Sequence, residues 1–285
     1  LSKITSRSRA LIGLAVSGAV GVVLLYLVFV RLPIGQRWDD RALLGGQLAT
    51  LEARQALTAA LHGIRISTIV LMIGLIVLIG IVRKRVSAAI ITVVAIGGAI
   101  VSAEVLKRVL PRRDLAPELN AYVDNGNIDT YPSGHSTIAM AFALGLLIVT
   151  SPRYRTAVAT IGMLWAAAIP MAALAAGWHR PSDVLGGMAL ALIWLAAAGA
   201  IVVMRYPDSA SSVSPRHLAA IAGVILAGCT GALGLWIWWG DPSQVPVGGG
   251  FIAFTVAALG IALTAVAIVG MYAAALSLGT SAKGR

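Results

Sequence analysis

The sequence predicts an all-α, polytopic transmembrane helix bundle with a six-span core and two extra C-terminal spans. Three observations predict it. Of the 285 residues, 59% are hydrophobic and only 12% are charged, whereas a soluble chain carries about 25% charged residues and needs polar side chains to cover its surface. The apolar residues gather into eight runs long enough, or nearly so, to cross a bilayer. The runs lack the alternating ten-residue pattern of a barrel, so each must satisfy its own backbone hydrogen bonds as a helix.

In order, the runs cover residues 11–30, 66–82, 86–105, about 136–149, 157–176, 184–204, 218–239 and 251 to about 276. The first suits a span better than a signal peptide, being about 20 residues long; Leu1 in place of methionine predicts truncation or processing at this end. The fourth run is short and gains about a turn if its helix begins at Ser133. Residues 1–205 then form the core and 206–217 a linker rich in Ser and Pro. Residues 218–285 hold the two extra spans, which carry no Asp, Glu, Lys, Arg or His within their apolar runs. The connector 31–65 contains a stretch, 43–61, that reads equally as an amphipathic surface helix or a plain connector. The connector 111–132 holds Asp114, Glu118, Asn120, Asp124, Asn125, Gly126, Asn127 and Asp129, and this density of turn formers predicts a structured loop.

The net charge of +11 does not point to nucleic acid. The basic residues fall in short clusters between apolar runs, as membrane topology requires, and no reading module is recognisable. The bilayer is the expected partner. The single cysteine, Cys229, lies in an apolar run and reads as a small buried hydrophobe. Threading eight spans with the N-terminus inside puts twelve Lys and Arg against one acid, Asp208, on the inner side, and ten basic against ten acidic residues outside. That assignment predicts cytoplasmic termini in the plasma membrane.

Three clusters then share the outer side. Lys107-Arg108-Val109-Leu110-Pro111-Arg112-Arg113 follows the third span, Tyr131-Pro132-Ser133-Gly134-His135-Ser136 opens the fourth, and Gly177-Trp178-His179-Arg180-Pro181-Ser182-Asp183 joins the fifth to the sixth. Taken singly, each has a plainer reading: a basic cluster as a headgroup or orientation signal, Ser133 as an N-cap, Asp183 as a cap of the sixth span. Together they suit phosphate chemistry. Arg and Lys supply donors for phosphate oxygens. A helix opening at Ser133 offers free N–H groups and a positive dipole end, and Gly134 permits close approach. Two histidines can divide the work of nucleophile and general acid. Asp183, four residues after His179, can reach the imidazole if Pro181 starts the helix. The other histidines, His62 and His217, have no such company and read as interfacial. Glu104 is expected to pair with Lys107 or Arg108 along the helix.

At these residues the sequence resembles the type 2 phosphatidic acid phosphatase superfamily, which includes membrane lipid phosphatases and soluble vanadium haloperoxidases. Its pattern is a lysine followed by Arg-Pro, then Pro-Ser-Gly-His, then Ser-Arg with a His and an Asp four residues later. Residues 132–135 match the second part in full, and His179 and Asp183 match the third. The resemblance spans about residues 86–204. It implies that His179 attacks phosphorus, Asp183 holds it and His135 protonates the leaving oxygen. It further implies that Lys107, Arg112 or Arg113, Ser133 and Gly134 bind the phosphoryl group, and that no metal or other cofactor is used.

The sequence departs from the pattern twice. The seventh residue after Lys107 is Asp114, which leaves Arg112 and Arg113 as the alternatives for the first-motif arginine. Ala172 and Ala173 occupy the Ser-Arg positions, which leaves Arg180 or Arg108 to replace that arginine. The function expected is hydrolysis of a phosphomonoester or diphosphate of a lipid, through a covalent phosphohistidine, at the extracytoplasmic face. The substrates considered are polyprenyl diphosphate, phosphatidylglycerol phosphate, phosphatidic acid and phosphorylated glycolipids. The competing reading is a lipid transporter or a catalytically weakened lipid-phosphate scaffold. Against the transporter, the spans carry almost no ionisable residue.

Overall fold

A computed structural model describes residues 5–48, 50–63, 66–120, 122, 130–207, 215–238 and 248–278. Helices form where the apolar runs predict them. Helix α1 (Ser6–Leu25) is capped by Thr5, whose hydroxyl accepts from the Ser8 N–H, and it continues as a π-helical turn, Tyr26–Val30. Helix α2 (Pro33–Gly45) opens on a proline, whose missing N–H is no loss in a first turn. A 3-10 turn, Gly46–Leu48, leads to α3 (Leu51–His62), capped by Thr50. Then follow α4 (Ile66–Val82), α5 (Val86–Val109), the single turn α6 (Pro117–Asn120) and α7 (Gly134–Val149). The chain ends through α8 (Arg155–Ala175), α9 (Pro181–Arg205), α10 (Pro215–Trp238) and α11 (Gly250–Ser277).

Among the described residues, six helices are long and apolar enough to cross a membrane: α1 with its π turn, α5, α8 with the 3-10 turn before it, α9, α10 and α11; α3 and α4, bent by 50° at their junction, reach that length only as a pair. Of the eight runs expected to span, α4 and α7 are shorter, with 17 and 16 residues. For α7 the physical reason is its surroundings. It packs against α5, α8 and α9, and 12 of its 16 residues are buried. A helix that is apolar all round and enclosed by protein has no lipid thickness to match. The peripheral helices do meet lipid: α1 exposes Val16, Val20, Val23 and Leu24, and α4 exposes Ile66, Val70, Leu71 and Val82.

Helix α9 is the axis of the fold, packing against α1, α5 and α7. Helix α11 lies within the packed body, against α8, α2 and α9, while α10 touches only α11 and α8 closely. The connector 31–65 is neither one surface helix nor a plain link, because it breaks at Gly45–Gly46 into α2 and α3. A Cβ at Gly45 would come within 2.2 Å of the Gly250 carbonyl, so glycine there is what lets α2 lie directly on α11. In the polar loop, α6 forms one turn and Asp114 Oδ1 accepts from the Ala116 N–H. Asp124, Asn125, Gly126, Asn127 and Asp129 lie outside the described residues, as do residues 208–214 of the expected linker.

Candidate active site

The site is assembled at one end of the bundle, where α5 ends and α7 and α9 begin. Ser133 caps α7, its hydroxyl accepting from the Ser136 N–H at 3.4 Å and from the Ser136 hydroxyl at 3.1 Å. Gly134 and His135 form the first helical positions, whose N–H groups have no intrahelical acceptor. Lys107, in the last turn of α5, reaches this helix end. A Cβ on Gly134 would stand 3.4 Å from Lys107 Nζ and 3.4 Å from Glu104 Oε1. Lys107 and Glu104 are paired at 2.7 Å, as the spacing predicts.

The turn 131–135 rests directly on α9. The Ser133 N–H donates to the Asp183 backbone carbonyl at 2.8 Å. Gly186 and Gly187 make this approach possible, because a Cβ at Gly186 would meet the Tyr131 ring at 2.5 Å. One at Gly187 would meet the Ser133 carbonyl at 2.4 Å.

Helix α8 ends in a Schellman motif. The Trp178 N–H donates to the Ala173 carbonyl and the Gly177 N–H to the Leu174 carbonyl, with Gly177 at φ +77°. Trp178 then packs beside Ala172, Ala173, Ala176 and Leu61. His179 and Arg180 follow, and Pro181 opens α9. This turn sets His179 facing His135, with ring centroids 6.4 Å apart. Trp178 borders the pair at 5.3 Å from the His135 ring, and His62 lies 4.9 Å from Trp178. His62 therefore has company at the site, contrary to its expected reading as an isolated interfacial residue.

Asp183 is fully buried. Its Oδ2 accepts from the Thr130 hydroxyl at 2.5 Å and from the Arg180 N–H at 3.0 Å. His179 Nδ1 lies 3.8 Å from the same oxygen, within ion-pair distance but too far for a hydrogen bond. Asp183 thus ties the helix end and the 130–133 turn together while standing behind the imidazole.

A buried charge cluster lies beneath. Arg112 Nη2 donates to Asp39 Oδ2 at 2.7 Å and to the Phe29 carbonyl at 3.0 Å, and Nη1 stands 3.6 Å from Asp183 Oδ1. Asp39 also accepts from the N–H and the hydroxyl of Ser182. Arg180 Nε donates to Asp40 Oδ1 at 2.5 Å. Burial pushes the Asp39 carboxyl above its ordinary value; Arg112 pulls it down, and the Asp183 charge adds to the rise. Burial alone would lower the Arg112 guanidinium, but Asp39 and Asp183 outweigh it and hold it above its ordinary value. Arg113, by contrast, is exposed, and its backbone carbonyl accepts from Gln36 Nε2 at 2.6 Å. Arg112 is the alternative whose guanidinium reaches Asp183. Arg108 is also exposed.

The structure therefore brings Lys107, Arg112, Ser133, Gly134, His135, His179, Arg180 and Asp183 to one helix-end region. Sequence reasoning missed Asp39, Asp40 and Thr130, and read Ser182 and Trp178 only as motif neighbours. The available signal was the adjacent Asp39-Asp40 pair in a connector beside a membrane span, where carboxylates need partners. Among the described residues, no three His, Cys, Asp or Glu side chains are grouped as a metal site.

Residues 86–207 match the family model of the PAP2 superfamily. No curated protein matches the chain, and no solved structure does. The matched segment runs from the start of α5 past the end of α9, so it includes the turn 132–135 and the His179–Asp183 pair. It leaves out α2 and α3, and with them Asp39, Asp40 and His62. Over residues 86–207 the chain is therefore similar to the PAP2 superfamily, and that similarity supports a phosphatase-type activity.

Proposed function

We propose that this chain is an integral membrane lipid phosphatase or diphosphatase that works through a covalent phosphohistidine. The observation that carries the reading is the facing pair His135 and His179, set at the open end of α7 beside Lys107. His179 turns Nδ1 toward Asp183, which leaves Nε2 for phosphorus. Nε2 forms the N–P bond as the bond from phosphorus to the lipid oxygen breaks, and His135 gives that oxygen its proton. Water then attacks phosphorus, the N–P bond breaks, and His135 takes up the proton from water. Lys107, Ser133, Gly134 and the free N–H groups of α7 surround the phosphoryl oxygens, where preorganised donors stabilise the charge of the transition state. Arg112 and Arg180, each tied to carboxylates, hold Asp183 and the start of α9 in position; Arg113 stays outside the pocket.

The lipid nature of the substrate is supported by a groove of about 790 Å³ between α3, α8, α10 and α11. Leu57, Ala172, Ala175, Ile221, Cys229 and Phe254 are among its lining residues. Leu57 and Ala172, which line it, also belong to the cluster that includes Trp178, so a chain lying there runs toward the turn that carries His179. The distribution of Lys and Arg supports cytoplasmic termini and a site at the extracytoplasmic face.

Phosphate release by the purified chain tests the reading. The panel is phosphatidic acid, phosphatidylglycerol phosphate, a polyprenyl diphosphate and a phosphorylated glycolipid in mixed micelles. Release from at least one is expected, persisting in EDTA and blocked by orthovanadate, which mimics phosphate over the nucleophile. No release from any would favour the scaffold or transporter reading. Loss in EDTA restored by magnesium would reject the metal-independent mechanism.

A further inference from the structure

The charges already described at the site do not favour an anion. Arg112 and Arg180 stand against Asp39, Asp40 and Asp183, and Lys107 stands against Glu104. That is three cations against four carboxylates. A phosphoryl group brings further negative charge and binds where cations exceed anions. The missing cation must come from outside these pairs.

Helix α3 carries one. Arg54 is half-buried, and its Nη2 lies 3.1 Å from where a Cβ on Gly177 would stand. Gly177 is two residues before His179. Among the described residues Arg54 has no carboxylate within ion-pair distance, and its buried Nε has no hydrogen-bond partner. A buried guanidinium nitrogen without an acceptor is unfavourable, and a phosphoryl oxygen supplies one. The position of α3 is fixed by packing. Leu61 and Leu57 sit on Ala172, Ala173 and Ala176 at the end of α8, and Ala173 is fully buried there. The small residues at 172 and 173 are what allow α3 to close on this turn. Gly177 serves twice: its left-handed backbone completes the end of α8, and its missing side chain leaves the space that the Arg54 guanidinium fills.

We propose that Arg54 is a phosphate-binding residue of this site, delivered by α3 to the turn that carries His179. The proposal rests on the phosphatase reading and names the cation that reading lacks. Its ligand is the phosphoryl group of the substrate, gripped by the planar fork of the guanidinium.

The test uses the full-length protein with orthovanadate and inorganic phosphate as probes, read by calorimetry, alongside turnover of the best lipid phosphate. Arg54→Gln is expected to weaken vanadate binding at least about tenfold and to lower kcat/KM on the order of 10²-fold, as for loss of an oxyanion donor. Arg54→Lys is expected to fall between, keeping the charge but losing the fork. The thermal midpoint of the unliganded variants should match that of the parent, which excludes misfolding as the cause. Vanadate binding within twofold of the parent in Arg54→Gln would overturn the proposal even if the parent is an active phosphatase. A parent that releases no phosphate, yet binds vanadate through Arg54, would overturn the phosphatase reading and leave this one standing. A parent that binds neither probe would overturn both.

Discussion

Ser182 and Asp39, 143 residues apart in the chain, are joined by two hydrogen bonds. The Ser182 N–H donates to Asp39 Oδ1 at 2.9 Å and its hydroxyl donates to Oδ2 at 2.5 Å. A carboxylate from α2 thus satisfies an end donor of α9, where a negative charge also suits the helix dipole. The same carboxylate holds Arg112, so one side chain links α2, the segment after α5 and the helix that begins beside His179.

The first prediction concerns Asp39. Asp39→Ala leaves both Ser182 donors without their acceptor and the buried Arg112 without its carboxylate, and is expected to destabilise the fold by about 3 kcal/mol or more. Asp39→Asn is expected to lose less than half of that. Its amide oxygen still accepts from Ser182, and burial already opposes the charge on this carboxyl. Thermal unfolding in detergent compares the two. Equal losses would mean that charge, rather than hydrogen bonding, dominates at this position.

A second prediction uses the contact between the motif turn and α9. A Cβ at Gly187 meets the Ser133 carbonyl at 2.4 Å and Thr137 Oγ1 at 2.9 Å. Backbone cannot swing aside as a flexible side chain does, so Gly187→Ala should force the turn 131–135 off α9. The expected loss is about 1–3 kcal/mol, with turnover falling further as His135 leaves its place opposite His179. Gly223→Ala on α10, where nothing lies within 4 Å, is the control and should leave both unchanged. Wild-type turnover in Gly187→Ala would show that the register of α7 against α9 does not set the site.

The two histidines should separate by leaving group. His179→Gln is expected to abolish both turnover and the trapped phosphoenzyme. His135→Gln is expected to slow lipid turnover by about 10²–10⁴-fold, yet still to form the phosphoenzyme from p-nitrophenyl phosphate, whose leaving group departs without a proton. A base-stable, acid-labile phosphoryl group on the quenched protein is the readout. If His135→Gln fails to form it as completely as His179→Gln does, the division of labour between the rings is wrong.

What the sequence made legible follows from the range of each interaction. The helices were readable because each apolar run is local, and α7 differed only in length because its burial depends on three other helices. Ser133 as a cap, Pro181 as the start of α9 and the Glu104–Lys107 pair are contacts within four residues, and the sequence carries them directly. The approach of His135 to His179 was inferable because both sit at helix ends on one side of the threading. Asp39, Asp40 and Arg54 were not legible. The groups they meet lie 73 to 143 residues away, and their helices fall in a connector whose sequence reads equally as a surface helix or a plain link. Besides the adjacent Asp39-Asp40 pair, the equal count of acids and bases assigned to the outer side was their trace. It meant that most cations there had carboxylates to meet, but it did not say which ones.

Arg180 was the sequence-based choice to replace the absent third-motif arginine, and its contact with Asp40 permits a sharper experiment. Both side chains are almost fully buried, so Arg180→Ala leaves Asp40 as an unpaired buried charge. Breaking such a pair from one side costs about 3–5 kcal/mol, whereas replacing both partners with apolar groups of similar size is often neutral or stabilising. Turnover lost in Arg180→Ala would therefore be ambiguous taken singly. The double variant Asp40→Leu/Arg180→Met resolves it. If Arg180 serves to hold α9 against α2, the double variant should regain the thermal midpoint, and turnover should return with it to within a few-fold of the parent. If Arg180 binds the phosphoryl group, the midpoint should recover while turnover stays lower on the order of 10²-fold, because a donor to the transition state is still missing. The paired burial of the two side chains favours the first outcome. A double variant that is stable but inactive would restore Arg180 to the phosphate site.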